Sequence, residues 1–329
     1  MLNSLTRWTV AFLAAGAATV LSGGALAAES AAASSAGSSS SVAIQKDDTS
    51  VLVACSGRTL MDYCLVANPA KPYVRRLYTP GGVNVLRDQV IDHKHHHGLM
   101  YAIGADGVNF WEETPGCGSE VPHKTCRVST STANGPARAS LGQDLDWVGP
   151  KSPAPILLER RTIVVGPSKD GSATLLTWRS TFSAPPGRQS VKLGGSHYYG
   201  LGMRFPISMD KGGHFLYSAD KKKAVPIHGD EQVMPASWSA YTASAEGKPV
   251  TVALFESPAD ARFPSPIFTM QTPFAYQSAT LNLWKEPLLV QQGQPLDLRY
   301  GVALWDGQVE PAVVEAMYQQ WLAEVKDER

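Results

Sequence analysis

The chain has 329 residues and carries 29 Lys plus Arg against 29 Asp plus Glu, a formal net charge of zero at pH 7. That balance, with only 18% charged residues, gives no electrostatic reason for a nucleic-acid or anionic-lipid partner. A 43% hydrophobic content is that of a globular chain and excludes a wholly disordered one.

The N-terminal pattern is that of an export signal. Arg7 supplies a short positive region, residues 8–21 form an apolar run, and Ala25-Leu26-Ala27 gives a small-x-small cleavage site. Residues 1–27 are therefore expected to be a bacterial signal peptide, and the mature protein periplasmic or secreted. The run is too short and too interrupted by Gly and Thr to span a bilayer, and no later stretch is apolar enough for a transmembrane segment. No Cys stands at the cleavage site, so no lipid anchor is expected. The Ala/Ser-rich stretch after it cannot bury enough apolar surface to offset its ordering entropy. Residues 28–49 are thus expected to be a linker and 50–329 a single domain.

Within that domain, strands are predicted at 51–54, 73–78, 83–86, 99–103, 156–165, 173–182, 201–205, 250–255, 267–270 and 296–304. Several alternate with period two. Leu176, Trp178, Ser180 and Phe182 share a face, as do the even positions from Leu296 to Leu304. Turn signals separate the runs, among them Pro80-Gly81-Gly82, Asp170-Gly171 and Glu246-Gly247. Lys221-Lys222-Lys223 has the character of a solvated turn. After Pro311, the residues Val313, Val314, Met317, Tyr318, Trp321, Leu322 and Val325 recur at helical spacing. That helix is expected to dock on the outside of the sheets. Many strands with one terminal helix predict an all-β fold, a large antiparallel β-sandwich with a C-terminal helix.

Four cysteines form two pairs of equal spacing, Cys55 with Cys64 and Cys117 with Cys126. In an oxidising compartment two local disulfides are the preferred of the three possible pairings. No Cys-x-x-Cys spacing supports a metal site.

The densest chemical signal is Asp92-His93-Lys94-His95-His96-His97-Gly98, which holds four of the eight histidines. Imidazole suits proton transfer or metal binding near neutral pH. If the segment is extended, His93, His95 and His97 share one face and Asp92, Lys94 and His96 the other. A His-x-His pair is a metal half-site or an acid and a base; an exposed polar strand end is the third reading. Gly98 permits close backbone approach or a positive φ. Downstream, Gly107-Val108-Asn109-Phe110-Trp111-Glu112-Glu113 places carboxylates after an aromatic pair, a pocket wall or simply core. In His197-Tyr198-Tyr199-Gly200-Leu201-Gly202-Met203-Arg204-Phe205, Arg204 is suited to clamp a carboxylate or hydroxyl pair, or to make a surface ion pair. His228-Gly229 and Trp238 lie in a turn-rich stretch suited to covering a cleft. The chain has no Gly-x-Ser-x-Gly elbow, dinucleotide glycine motif or phosphate loop.

These motifs resemble the methane oxygenase PmoA-like family, whose members carry Asp-His-x-His-His-x-Gly-Leu followed by Gly-Val-x-Phe-Trp-x-Glu. The similarity extends through Gly200-Leu201-Gly202-Met203-Arg204, Ala261-Arg262-Phe263-Pro264-Ser265-Pro266 and Leu283-Trp284-Lys285-Glu286-Pro287-Leu288, from about Pro72 to Gly307. Lys94 stands where many members have Pro, and the two Cys pairs also depart from the pattern. A membrane methane monooxygenase subunit needs several transmembrane helices, and a copper histidine brace needs an N-terminal His where cleavage here leaves Ala28. What the resemblance implies is a galactose-mutarotase-like supersandwich, a fold that hosts epimerases, lyases and sugar-binding modules. By that analogy the expected function is an exported carbohydrate-active enzyme acting on a small-molecule or oligosaccharide substrate. His95 and His96 would be its acid and base and Glu113 their partner, with His93, Arg204 and Trp238 orienting substrate. The alternatives are a non-catalytic carbohydrate-binding module and a metal-dependent enzyme with His93 and His95 as ligands. No cofactor is expected apart from that metal.

Overall fold

The computed structural model describes residues 41–67, 70–91, 93–132, 135–219 and 223–326. The expected signal peptide, residues 28–40 of the expected linker, Asp92, Lys221 and Lys222 lie outside the described residues.

Two large antiparallel sheets form the sandwich. The first has ten strands in the order β1 (Val42–Lys46), β2 (Ser50–Cys55), β3 (Arg58–Cys64), β4 (Tyr73–Leu77), β5 (Leu99–Ala102), β13 (Gly200–Arg204), β20 (Tyr276–Thr280), β19 (Pro266–Met270), β16 (Gln232–Pro235) and β15 (Val225–Pro226). The second has eight, in the order β14 (His214–Tyr217), β17 (Trp238–Ala245), β18 (Lys248–Glu256), β22 (Leu296–Asp306), β11 (Ala173–Ser183), β10 (Pro155–Pro167), β9 (Arg138–Val148) and β8 (Ser119–Ser131). A small third sheet joins β21 (Leu288–Gln291), β12 (Ser190–Gly194), β6 (Gly104–Ala105) and β7 (Val108–Asn109). Among the described residues no helix is long and apolar enough to cross a membrane.

The period-two pattern explains the layers. In β9 every second residue, from Ala139 to Trp147, is buried. These side chains meet Met61, Tyr63 and Leu99 of the first sheet and Trp178 and Tyr300 of the second in one contiguous core. Strand β22 is buried on both faces. Its even positions Leu298, Tyr300, Val302 and Leu304 enter that core. Its odd positions Ala303 and Trp305 lie under α1 (Pro311–Lys326), together with Val314, Met317, Tyr318, Trp321 and Val325. Gly301 makes the docking possible, because a Cβ there would lie 2.8 Å from the Trp321 ring. The expected β-sandwich with an outer C-terminal helix is the fold observed.

Two expectations need correction. The ordered sheet begins inside the expected linker: β1 pairs with β2 from Val42↔Cys55 to Lys46↔Val51, and Val42 and Ile44 pack against the core. The four cysteines are free, so neither expected disulfide forms. Cys55 sits opposite Arg58 at the hairpin end of β3, while Cys64 sits opposite Ser50 at its far end. At about 3.3 Å per residue the length of the strand separates them. Cys117 precedes β8, and Cys126 lies well along that strand opposite Gln143, so the same geometry parts the second pair.

Candidate functional site

The histidine segment enters β5 from a turn, not as an extended strand. The His93 N–H donates to Val90 O at 3.3 Å and the His96 N–H to His93 O at 2.8 Å. The expected alternation therefore does not hold. The turn gathers His93, His95 and His96 on one side: His93 stacks on His96 with ring centroids 4.9 Å apart, and His95 meets His96 edge-on at 4.5 Å. His97 points the other way, into the protein. Gly98 supplies the close approach, since a Cβ there would collide with the carbonyl oxygen of Val74. The segment is tied on both sides, by Gly98 N–H to Arg87 O at 3.0 Å and Arg204 N–H to Gly98 O at 2.9 Å.

The three clustered rings line a cavity of about 440 Å³ together with Glu112, Glu231 and the aromatic side chains Tyr198, Phe268, Phe274 and Tyr276. This size and this mixture of apolar wall and few polar groups suit a small-molecule site. Glu112 reaches it because Asn109 reverses the chain after β7: Asn109 Oδ1 accepts the N–H groups of Trp111 at 2.8 Å and Glu112 at 3.1 Å. Trp111 and Glu113 then face inward and Glu112 faces the cavity. Glu112 Oε2 lies 3.2 Å from His95 Nδ1. Across the cavity, Glu231 Oε2 lies 3.3 Å from His197 Nε2.

Burial, followed by the positive charge of Lys71 and the neighbouring His93, lowers the His95 pKa to about 4. Burial, followed by His95, His93 and Arg204, lowers that of His96 to about 2. Both rings are neutral at pH 7. His96 stacks on Tyr276 at 5.2 Å, and its Nδ1 is buried with no hydrogen-bond partner among the described residues.

Behind this wall runs a buried chain of alternating charge. His97 Nδ1 is 2.9 Å from Asp88 Oδ1, and His97 Nε2 is 3.0 Å from Glu113 Oε1. Lys71 Nζ donates to Glu113 Oε1 at 2.7 Å and to Trp111 O at 3.1 Å. Tyr73 donates to Asp88 Oδ2 at 2.9 Å and stacks on His97 at 4.4 Å. Burial opposes the charged form of His97, but the bonds to Asp88 and Glu113 outweigh it and raise the pKa. Burial likewise opposes the charged forms of Glu113 and Asp88, and their partners outweigh it and lower both pKa values. A protonated His97 leaves two cations against two anions, the balance a buried network needs. The segment carrying Lys71 is itself clamped: buried Arg161 Nη1 donates to Pro72 O at 2.9 Å, and the Glu120 N–H donates to Ala70 O at 2.7 Å.

The expected site residues thus divide. His93, His95 and His96 come together at the cavity. Glu113 does not line it; its side chain is 4% exposed and spent on His97 and Lys71, and the neighbouring Glu112 takes the cavity position. Arg204 lies behind the wall, with its guanidinium 3.3 Å over the Phe274 ring. Trp238 is elsewhere: it is buried under α1, and its Nε1 donates to Glu315 Oε2 at 2.7 Å. Tyr198 and His197 belong to the segment from His197 to Phe205, in which the sequence points to Arg204 alone. Glu231, Phe274 and Tyr276 carry no local signal, since long-range pairing in the first sheet brings them in. Among the described residues, no group of three His, Cys, Asp or Glu side chains is placed to hold a metal ion, so the pair His93 and His95 lacks a third ligand.

No curated protein matches the chain. One family model matches residues 50–319, a span that contains every site residue named above. The chain belongs to that family, a family of unknown function designated DUF6807.

Proposed function

We propose that this protein is an exported carbohydrate-active enzyme that moves a proton between its substrate and His95, with Glu112 as the partner carboxylate. The observation that carries this reading is a neutral imidazole 3.2 Å from a carboxylate at an open, aromatic-walled cavity. A neutral ring accepts a proton, and the charge it acquires then forms beside Glu112. His96, far more reluctant to take a proton, is a neutral wall that holds substrate. Tyr198, Phe268 and Phe274 offer apolar faces to the C–H surfaces of a sugar ring. The motif resemblance to the PmoA-like family, with its mutarotase-like supersandwich, supports the sugar substrate by analogy. Lyase, epimerase and glycoside-cleaving reactions all use such a proton transfer. Export rests on the pattern of residues 1–27 and predicts a mature chain beginning at Ala28, readable by N-terminal sequencing of periplasmic protein.

The test is product formation from a panel of neutral sugars and glycosides. His95→Ala and Glu112→Gln are each expected to lower turnover by about a hundredfold or more. Full turnover in both variants rejects the assignment. Sugar binding that survives His95→Ala, with no product from the parent protein, means a non-catalytic binding module instead.

A further inference from the structure

A second cavity, of about 480 Å³, lies along the small sheet. Gly104, Asn109 and Gly194 line it, and Trp284 stands at its wall. Two residues join it to the first cavity. His197 lines the second, approaches Glu231 of the first at 3.3 Å, and meets the Trp284 ring edge-on at 5.9 Å. Asn109 lines the second, and its side chain fixes the backbone of Glu112 in the first.

The fold does not account for Gly194. Its φ is not positive, and a Cβ there would meet nothing within 4 Å. Neither backbone strain nor packing calls for glycine, yet the bare backbone faces the cavity. Such a surface lets a flat ring lie close to the peptide. Trp284 is 37% exposed on a turn, with Lys285 Nζ 4.6 Å from its ring centroid, an indole held in water beside a glycine floor.

We propose that this second cavity is a subsite for a neighbouring sugar ring, so that the substrate is an oligosaccharide spanning both cavities and not a free monosaccharide. This rests on the carbohydrate reading above. The protein is titrated by calorimetry and saturation-transfer NMR with glucose, galactose and mannose and with their di- and trisaccharides. At least one longer sugar is expected to bind tenfold or more tightly than its monosaccharide. Trp284→Ala, and Gly194→Val, which fills the floor, are expected to reduce that advantage to within twofold and leave monosaccharide affinity unchanged. A length advantage that survives both variants, or monosaccharide binding with no length advantage, overturns the subsite alone. Binding of none of these sugars overturns both the subsite and the carbohydrate reading.

Discussion

His95 Nδ1 lies 3.2 Å from Glu112 Oε2, while the next residue along, Glu113, turns inward to His97 and Lys71. Two adjacent carboxylates thus have separate tasks, and their amides should fail in different ways. Glu112→Gln is expected to lower turnover about a hundredfold with the melting temperature nearly unchanged, because Glu112 is partly exposed. Glu113→Gln leaves Lys71, which has no exposed surface, without its counter-charge. The expected cost is about 3 kcal/mol, a fall on the order of 5 to 10 °C in melting temperature. Thermal denaturation and turnover measured on both variants check the division. The reverse pattern would return the catalytic carboxylate to Glu113.

Burial, with Lys71 and His93 nearby, sets the acid limit expected of the proposed activity. As the proposed base, His95 works only while neutral, and its pKa is lowered to about 4. The pH profile of kcat/KM is therefore expected to stay level from pH 8 down to about pH 5 and to fall with a midpoint near 4. An ordinary histidine would lose activity around pH 6.5. A midpoint at that higher value would mean that His95 is not the base.

How far the sequence carried the assignment follows from the kind of interaction involved. Strand alternation is local, so β22, β11 and the helix over Trp305 are legible residue by residue. The histidine cluster was legible as chemistry but not as shape. Period-two reasoning assigns His97 to the same face as His93 and His95, whereas the hydrogen bond from the His96 N–H to His93 O closes a turn and sends His97 inward. Choosing Glu112 over Glu113 needed the Asn109 side chain, whose two bonds to the following backbone reverse the chain. Glu231 and Phe274 reach the cavity through tertiary pairing and have no motif. Trp238 stands in a polar stretch whose pattern suits an exposed residue, whereas the distant helix α1 covers it.

Opposed histidine shifts predict a peaked histidine contribution to the dependence of stability on pH. His97 has a raised pKa in the folded state. Its contribution is fully present below the ordinary value of 6.5 and is lost as pH rises through the raised value. His95 and His96 have lowered values, so below 6.5 the unfolded chain binds their protons first and stability falls with pH. Asp88 and Glu113, also lowered, contribute above their ordinary values and lose that contribution as pH falls through the folded ones, reinforcing the acid side. The histidine contribution, read as the difference between parent and variant, is expected to be greatest near pH 6.5, superimposed on a loss of stability with rising pH from Glu120, Glu256 and Asp260, whose pKa values burial raises. His97→Asn should flatten the alkaline limb and His96→Asn the acid limb. Parent and variant curves that stay parallel across the whole range would remove both assignments.

Gly202 connects the first sheet to the cavity wall, which makes it a sharper probe of the site than any lining residue. It lies in β13 opposite Ser278, where a Cβ would collide with the Tyr276 hydroxyl and lie 3.2 Å from the Trp111 ring. Tyr276 is the residue on which His96 stacks, and Trp111 precedes Glu112. Gly202→Ala must therefore displace the tyrosine toward the histidines or push the strands apart. Overpacking of this kind costs about 1–3 kcal/mol, and the displaced ring should lower turnover at least tenfold. The nearest atom to the added methyl is the phenol oxygen. Adding Tyr276→Phe to Gly202→Ala should accordingly recover part of both losses, a coupling that a double-mutant cycle measures directly. If the two substitutions are additive in stability and in turnover, the Tyr276 hydroxyl is not what requires glycine at this position.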